Sequence, residues 1–219
     1  MKPAAMKALD RQRDVMIREH LLGRGIRDQA VLNAMREVPR EEFIDERFRE
    51  DAYGDHPLPI DERQTISQPY IVAYMIEALE LDAADQVLEI GTGSGYAAAV
   101  LSRIVTHVYS IERLSGLAHS ARKRLELLGY TNVVVHEGDG TLGWPEHAPY
   151  DAIVVTAGAP NVPQPLLEQL AIGGRLVIPV GQSADEQLLA LVRRVSERDY
   201  RSKQLCGVRF VPLIGSAGW

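Results

Sequence analysis

The stretch Val87-Leu88-Glu89-Ile90-Gly91-Thr92-Gly93-Ser94-Gly95-Tyr96 is an apolar run that breaks into three alternating glycines, and Ala97-Ala98-Ala99-Val100-Leu101 follows it with helical composition. The order predicts strand, tight turn, helix. Alternate glycines let the main chain pass through positive φ and leave no Cβ between a ligand and the backbone, while the following helix start presents unpaired N–H groups. Such a turn is either a cradle for a small molecule or a corner that simply needs glycine. The rest of the chain decides between the two.

From Asp85 onward, short β-rich runs at 86–90, 107–111, 132–136, 151–155 and 175–180 are separated by helical stretches or loops near 95–104, 115–128, 139–148 and 163–171. This alternation is the signature of a parallel sheet with crossover helices. The predicted class is α/β, a doubly wound and mostly parallel sheet. Two further apolar runs, Gln187 to Val195 and Leu205 to Leu213, joined by the polar Ser196-Glu197-Arg198-Asp199-Tyr200-Arg201, predict a closing hairpin-like pair and bring the strands to seven.

Ahead of the sheet the texture is helical. Residues 7–22 carry a weak amphipathic pattern that stops at Gly23-Arg24-Gly25. Asp28 caps a second helix with Val31, Leu32 and Met35 as its stripe and Pro39 as its end, and Glu41-Glu42-Phe43-Ile44 opens a short third piece. Residues 51–66, with Tyr53-Gly54, Pro57, Pro59 and Asp61-Glu62-Arg63, fit neither a helix interior nor a central strand and predict a long ordered loop. It leads into Gln64-Thr65-Ile66-Ser67-Gln68-Pro69 and a helical run from Tyr70 to Leu81. A chain of 219 residues suits one domain: N-terminal helices over 1–50, loop and helix over 51–81, and the α/β core with its last strands over 82–219.

Composition narrows the function. A net charge of -6 disfavours nucleic acid as the main partner, because neutralising phosphates needs clustered Lys and Arg. The single cysteine, Cys206, leaves neither an internal disulfide nor a Cys-based zinc site and suits the reducing cytoplasm. No secretory h-region and no spanning apolar stretch of ~20 residues is present, so no membrane role is expected. The histidines at 20, 56, 107, 119, 136 and 147 show no ligand spacing, and no metal is expected.

In an open parallel sheet, ligands bind outside the carboxyl ends of the strands. Two carboxylates flank the glycines there. Glu112 lies 21 residues after Gly91, the separation at which an acid accepts hydrogen bonds from both hydroxyls of an adenosine ribose, and Asp139 in Glu137-Gly138-Asp139-Gly140 stands where an adenine amino group is expected. Each also has a plainer reading, as a helix-capping acid and a turn acid. A dinucleotide fold wants a glycine at position 96, which is Tyr96 here. The pattern after Leu88-Glu89-Ile90 instead looks like motif I of S-adenosylmethionine-dependent methyltransferases, and Glu89 suits a cationic sulfonium and ammonium better than phosphates.

The wider resemblance is more specific. Gln64-Thr65-Ile66-Ser67-Gln68-Pro69-Tyr70 ahead of the glycine motif, then Asp151-Ala152-Ile153-Val154-Val155-Thr156-Ala157-Gly158-Ala159, Leu170-Ala171-Ile172-Gly173-Gly174-Arg175-Leu176-Val177-Ile178-Pro179-Val180-Gly181 and Phe210-Val211-Pro212-Leu213, resemble the protein-L-isoaspartate O-methyltransferases from about Met16 to Gly215. The Thr-Ile-Ser-Gln-Pro segment points to this family within the superfamily.

The resemblance implies a Rossmann-like methyltransferase of seven strands, moving a methyl group from S-adenosylmethionine to the free α-carboxylate of L-isoaspartyl residues in damaged proteins and peptides. It implies an active-site serine at Ser67, a cofactor site at Glu89, Gly91, Thr92, Gly93, Gly95, Glu112, Asp139 and Gly140, and an acceptor site at Thr65, Ile66, Ser67, Gln68, Val211, Pro212 and Leu213. A monomer is expected. One departure stands out: the loop before the serine usually carries glycines, and Asp61-Glu62-Arg63 occupy that place. Ser67 also has a bland reading, as the N-cap of the helix that follows it.

Two rivals remain. A nucleic-acid methyltransferase would be expected to show an Asn/Asp-Pro-Pro-Tyr/Phe motif where this chain has Thr156-Ala157-Gly158-Ala159-Pro160. A non-catalytic module that kept the fold would not need Gly91, Gly93, Glu112, Asp139 and Ser67 together.

Overall fold

In a computed structural model describing residues 3–183 and 186–219, a two-stranded hairpin of β1 (Leu58–Pro59) and β2 (Thr65–Ile66) precedes a seven-stranded sheet. The sheet comprises β3 (Gln86–Ile90), β4 (His107–Glu112), β5 (Val133–Glu137), β6 (Tyr150–Val155), β7 (Leu170–Ser183), β8 (Glu186–Arg194) and β9 (Tyr200–Val208) in the order β5-β4-β3-β6-β7-β8-β9. Pairing is parallel from β5 to β7 and antiparallel across β7, β8 and β9.

Alternation along the central strands sorts the core into two layers. Val87, Val108, Ala152, Val154 and Val177 join the cluster that holds α2 (Gln29–Glu37), α3 (Pro69–Ala78), α4 (Tyr96–Ser102) and the buried side of α5 (Ser115–Leu127), together with Leu9 of α1 (Pro3–Val15) and Met16, Ile17 and Leu21 just after it. Their neighbours Leu88, Ile90, Ile153, Val155, Leu176 and Ile178 point the other way, toward α6 (Gln164–Glu168) and the segment around Trp144. The doubly wound expectation holds. Between β5 and β6 the chain makes two short 3-10 turns, Gly140–Leu142 and Pro145–His147, in place of a crossover helix.

The N-terminal pieces also form as predicted. The helical run begun by α1 continues through a π-helical stretch (Met16–Leu21) and a 3-10 turn (Leu22–Arg24) and ends at Gly25, whose φ of 101° is left-handed, and Asp28 caps α2 by accepting from Ala30 N (2.8 Å) and Val31 N (3.1 Å). These helices pack directly on the glycine turn's helix. Tyr96, the first residue of α4, is buried edge-on against Phe43 (5.6 Å), under the Arg40 guanidinium (4.9 Å), with its hydroxyl 3.6 Å from Met35 Sδ.

The last strands differ from expectation. The second arm of the hairpin starts at Tyr200, not Leu205, and ends at Val208. Arg201, Ser202, Lys203 and Gln204 are exposed on the edge strand, and an edge needs no apolar alternation to be a strand, so their polarity disguises it. Beyond Val208 the chain leaves the sheet and crosses to the end of β6, where Gly158 N donates to Val211 O (2.8 Å) and Leu213 N donates to Gly158 O (2.7 Å).

Candidate active site

Strand order reverses at β3, which lies between β4 and β6, and the crevice opens at the carboxyl ends of β3 and β6. The glycine turn fills one side of it. Gly91, Gly93 and Gly95 have φ of 96°, 53° and 89°, values that L side chains rarely adopt. Gly91 N donates to Ile111 O (2.8 Å), and Thr156 at the end of β6 donates its hydroxyl to Gly91 O (2.8 Å). A Cβ on Gly91 would overlap that same Thr156 hydroxyl.

Glu112, at the end of β4, ties the turn to its neighbour. One carboxylate oxygen accepts from Gly93 N (2.9 Å) and the other from Leu114 N (2.9 Å), and the side chain lines the cavity beside the turn. Each oxygen keeps a lone pair for a further donor. Thr92 Oγ1 lies 2.5 Å from Ser110 Oγ, which donates to Glu89 Oε2 at 2.5 Å. Glu89 itself is fully buried beneath the turn, outside the cavity lining, and its Oε1 has no hydrogen-bond partner among the described residues. Burial pushes its carboxyl up to about 8, against the pull of the Ser110 hydroxyl, with the Glu112 charge adding to the rise. Glu89 thus stands behind the turn, joined to Thr92 through Ser110, and not at the cavity surface.

The opposite side of the cavity comes from the β1–β2 hairpin and the crossing segment. Gln64, Thr65, Ile66 and Ser67 line it together with Gly91, Thr92, Gly93, Glu112 and Gly140, and Val211, Pro212, Leu213 and Ile214 close it. Ser67 does not cap α3. The N-cap position is Gln68, and the first turn is served by Asp55, which accepts from Tyr70 N (3.1 Å) and Gln68 Nε2 (3.2 Å) while pairing with Arg24. Among the described residues the Ser67 hydroxyl has no partner, so it remains available to a ligand. Gln68 lies outside this cavity and lines an adjoining groove, which shares Thr65, Ser67, Thr156 and Val211 with it.

Asp139 is placed differently from the adenine-facing expectation. Its carboxylate accepts from Thr141 N (2.9 Å), Thr141 Oγ1 (2.6 Å) and Ser216 N (2.7 Å), and Gly140, not Asp139, lines the cavity. Burial works to raise its pKa, but the bonds from Ser216 and Thr141 outweigh it and hold the carboxyl below the usual range. The departure at 61–63 also has a structural meaning: Glu62 and Arg63 both sit in the left-handed region, at φ 55° and 57°, where glycine would be unstrained.

Three residues that organise the site carried no sequence signal of that role. Thr156 ends a predicted strand, yet its bond to Gly91 links positions far apart in sequence. Asp55 and Gln187 act across the fold in the same way, Gln187 by bonding both main-chain groups of Phe210.

The protein-L-isoaspartate(D-aspartate) O-methyltransferase (PCMT) family model matches residues 11–218. The chain is 70% identical over all of its 219 residues, and 97% of the relative, to protein-L-isoaspartate O-methyltransferase 2 of Pelobacter propionicus. It is 69% identical over the full length of both chains to protein-L-isoaspartate O-methyltransferase 1 of Geotalea uraniireducens. A solved protein-L-isoaspartate O-methyltransferase superposes with a TM-score of 0.86 at 33% identity, covering 94% of this chain and 67% of that one. A Plasmodium falciparum structure assigned to the same methyltransferases, in complex with S-adenosyl-L-homocysteine, gives 0.79 at 26% identity, covering 93% and 98%. The chain belongs to the protein-L-isoaspartate(D-aspartate) O-methyltransferase family.

Proposed function

We propose that the chain works as a repair methyltransferase on L-isoaspartyl residues of damaged proteins and peptides, with Ser67 as the residue that holds the acceptor carboxylate. The observation that carries this reading is the unpartnered Ser67 hydroxyl in the same cavity as the glycine turn and Glu112.

S-adenosylmethionine fits the residues present. The left-handed glycines give access to main chain, Glu112 offers carboxylate oxygens to ribose hydroxyls, and Gly140 packs so closely on Ile90 that a side chain there would collide. Gly91, Thr92, Gly93, Gly95, Glu112 and Gly140 would hold it, with Glu89 and Asp139 supporting from behind the wall. When bound, it supplies a methyl group activated on a sulfonium. The isoaspartyl α-carboxylate, with pKa ~3.5, is ionised at pH 7 and needs no base. Ser67 donates one hydrogen bond to hold it in line, Thr65, Ile66 and Val211–Leu213 flank it, and the apolar walls at Ile66, Ile90 and Leu213 exclude water.

The same reading covers the rest of the molecule. Residues 1–219 act as one domain, with helices over 1–50, acceptor elements over 51–81 and the cofactor core over 82–219. The enzyme is a cytoplasmic monomer without a nucleic-acid partner, consistent with its acidic balance and lone cysteine. No helix among the described residues is long and apolar enough to cross a membrane.

The test is methyl transfer to paired peptides carrying Asp or isoAsp at one position. Only the isoAsp peptide should be methylated, and equal methylation sinks the reading. Ser67→Ala should slow single-turnover transfer ten- to a hundredfold, about 1.4–2.7 kcal/mol, with a rate flat from pH 6 to 8. A tenfold climb across that window, lost on mutating one histidine, would show that a base is required.

A further inference from the structure

The crossing segment from Arg209 to Leu213 forms one wall of both the cavity and the adjoining groove, yet it belongs to no strand of the sheet. Its corner at Phe210 has lost the ladder partner that β9 enjoyed as far as Val208. Gln187 replaces that partner. Its side-chain amide donates from Nε2 to Phe210 O (3.1 Å) and accepts from Phe210 N at Oε1 (2.8 Å), satisfying both main-chain groups as a neighbouring strand would. The side chain is only 4% exposed, so water cannot take its place without a rearrangement. The space it fills is kept open by Gly158, where a Cβ would lie 2.6 Å from Gln187 Cδ, and Gly158 in turn fixes Val211 and Leu213 through its N–H and C=O. Gln187, Gly158 and Phe210 thus form one interlocked corner, one residue from Val211, which faces the same cavity as Ser67.

We propose that Gln187 is a positioning residue for the acceptor: its amide sets the place of Phe210 and Val211, and through them the affinity for the isoaspartyl peptide, without bearing on the cofactor. The inference rests on the acceptor reading above. It separates Gln187 from a general structural role, because a primary amide is used here as both donor and acceptor, and only a group with both functions can replace it. A neutral carboxylic acid has both. A carboxylate has acceptors only, and would face the Phe210 carbonyl with like partial charge.

That property supplies the experiment. In Gln187→Glu the introduced carboxyl is buried, which raises its pKa above the ordinary ~4.3. Of the described residues lining the groove with it, only Glu186 on the same strand and Arg209 after β9 carry charge, while the hairpin, α3 and β6 contribute none. Peptide KM and cofactor Kd are measured at pH 5 and pH 8 for the wild type, Gln187→Glu and Gln187→Leu, with the Tm of each. Gln187→Leu should raise peptide KM at least tenfold at both pH values and leave cofactor Kd within twofold. Gln187→Glu should behave like the wild type within threefold at pH 5 and like Gln187→Leu at pH 8, while the wild type stays flat. A flat profile for Gln187→Glu, equal losses in peptide and cofactor affinity, or unfolding of both variants at both pH values would overturn the inference. If the wild type fails to distinguish isoAsp from Asp, the acceptor reading itself is what has failed.

Discussion

The two sides of the cavity are held by different means. On the cofactor side the main chain of the glycine turn is itself pinned to the ends of central strands: Gly91 N bonds Ile111 O, Gly91 O takes the Thr156 hydroxyl, and Gly93 N reaches the Glu112 carboxylate at the end of β4. On the acceptor side, apart from the main-chain bonds of Gly158 to Val211 and Leu213, elements outside the sheet are suspended from single side chains. Asp55 holds Gln68 and Tyr70, Gln187 holds Phe210, Asp139 holds Ser216, Thr141 holds Ala217, and Trp219 Nε1 donates to Gly158 O. A backbone-built wall fails when an atom is added to it. A suspended wall shifts when one supporting group is replaced, and that allows acceptor recognition to change without disturbing the cofactor site.

The largest effect should come from adding a single methyl to the rigid side. Gly91→Ala combines a φ of 96° with a Cβ that meets Thr156, and should weaken S-adenosylmethionine binding more than a hundredfold, at least about 2.7 kcal/mol. Titration calorimetry checks it. Near-normal affinity would show that the turn relaxes as readily as the acceptor wall, and the contrast would be gone. Glu112→Ala comes next. Removing a carboxylate that serves two main-chain N–H groups and faces the ligand should cost about 1.5–3 kcal/mol of cofactor affinity, with peptide KM changed less than threefold. An equal loss in both would mean that the two sides are one mechanical unit.

The same contrast governs what the sequence discloses. The sheet, its crossovers, the glycine turn and Glu112 follow from local pattern, because strand ends and the crevice they make are fixed by β-runs and glycines adjacent in sequence. Ser67 was recognisable only by family resemblance, since a serine before a helix is equally an N-cap; the competing capping role was taken by Asp55, twelve residues earlier. The pattern predicts that Glu89 and Asp139 face the ligand, because strand-end acids usually do. Glu89 lies on a buried alternate position of β3, and Asp139 is engaged by Ser216, 77 residues away. Long-range partners of this kind leave no periodic trace. The edge strand from Tyr200 escaped for another reason: its solvent-facing residues are polar, and period-2 apolar alternation is absent.

These two acids give the contrast a pH signature. Glu89 has a folded pKa raised to about 8 from an ordinary 4.5, so between those values the folded state keeps a proton that the unfolded chain has released. Stability should therefore fall as pH climbs through that window, by at most about 1.4 kcal/mol per unit, or about 1–2 kcal/mol between pH 6 and 7.5. Asp139 is shifted the other way. Its contribution is present above the ordinary carboxylate pKa and is lost only as pH falls through its lowered value, so it is silent from pH 5 upward. Glu89→Gln should flatten the decline in denaturant midpoints between pH 6 and 7.5. An unchanged slope in that variant would assign the decline to other groups.

The smallest effect should come from the strained corner of the acceptor hairpin. Arg63 is exposed, makes no ion pair or side-chain hydrogen bond among the described residues, and holds φ at 57°. A non-glycine residue in that region costs about 1–2 kcal/mol relative to its relaxed conformation, and Arg63→Gly removes that strain. Glycine also gives the unfolded chain more freedom, which offsets roughly 0.5–1 kcal/mol of the gain. The net is a stabilisation of up to about 1 kcal/mol, a rise in Tm of about 1–3 °C for a chain of this size. Because Arg63 lies outside the cavity lining and the hairpin is held by its own pairing, peptide KM should move less than threefold. A tenfold rise in KM, or a fall in Tm, would mean that the left-handed corner itself holds Thr65 to Ser67 in place. The acceptor side would then be fixed by backbone conformation as firmly as the glycine turn, and suspension from side chains would no longer distinguish the two.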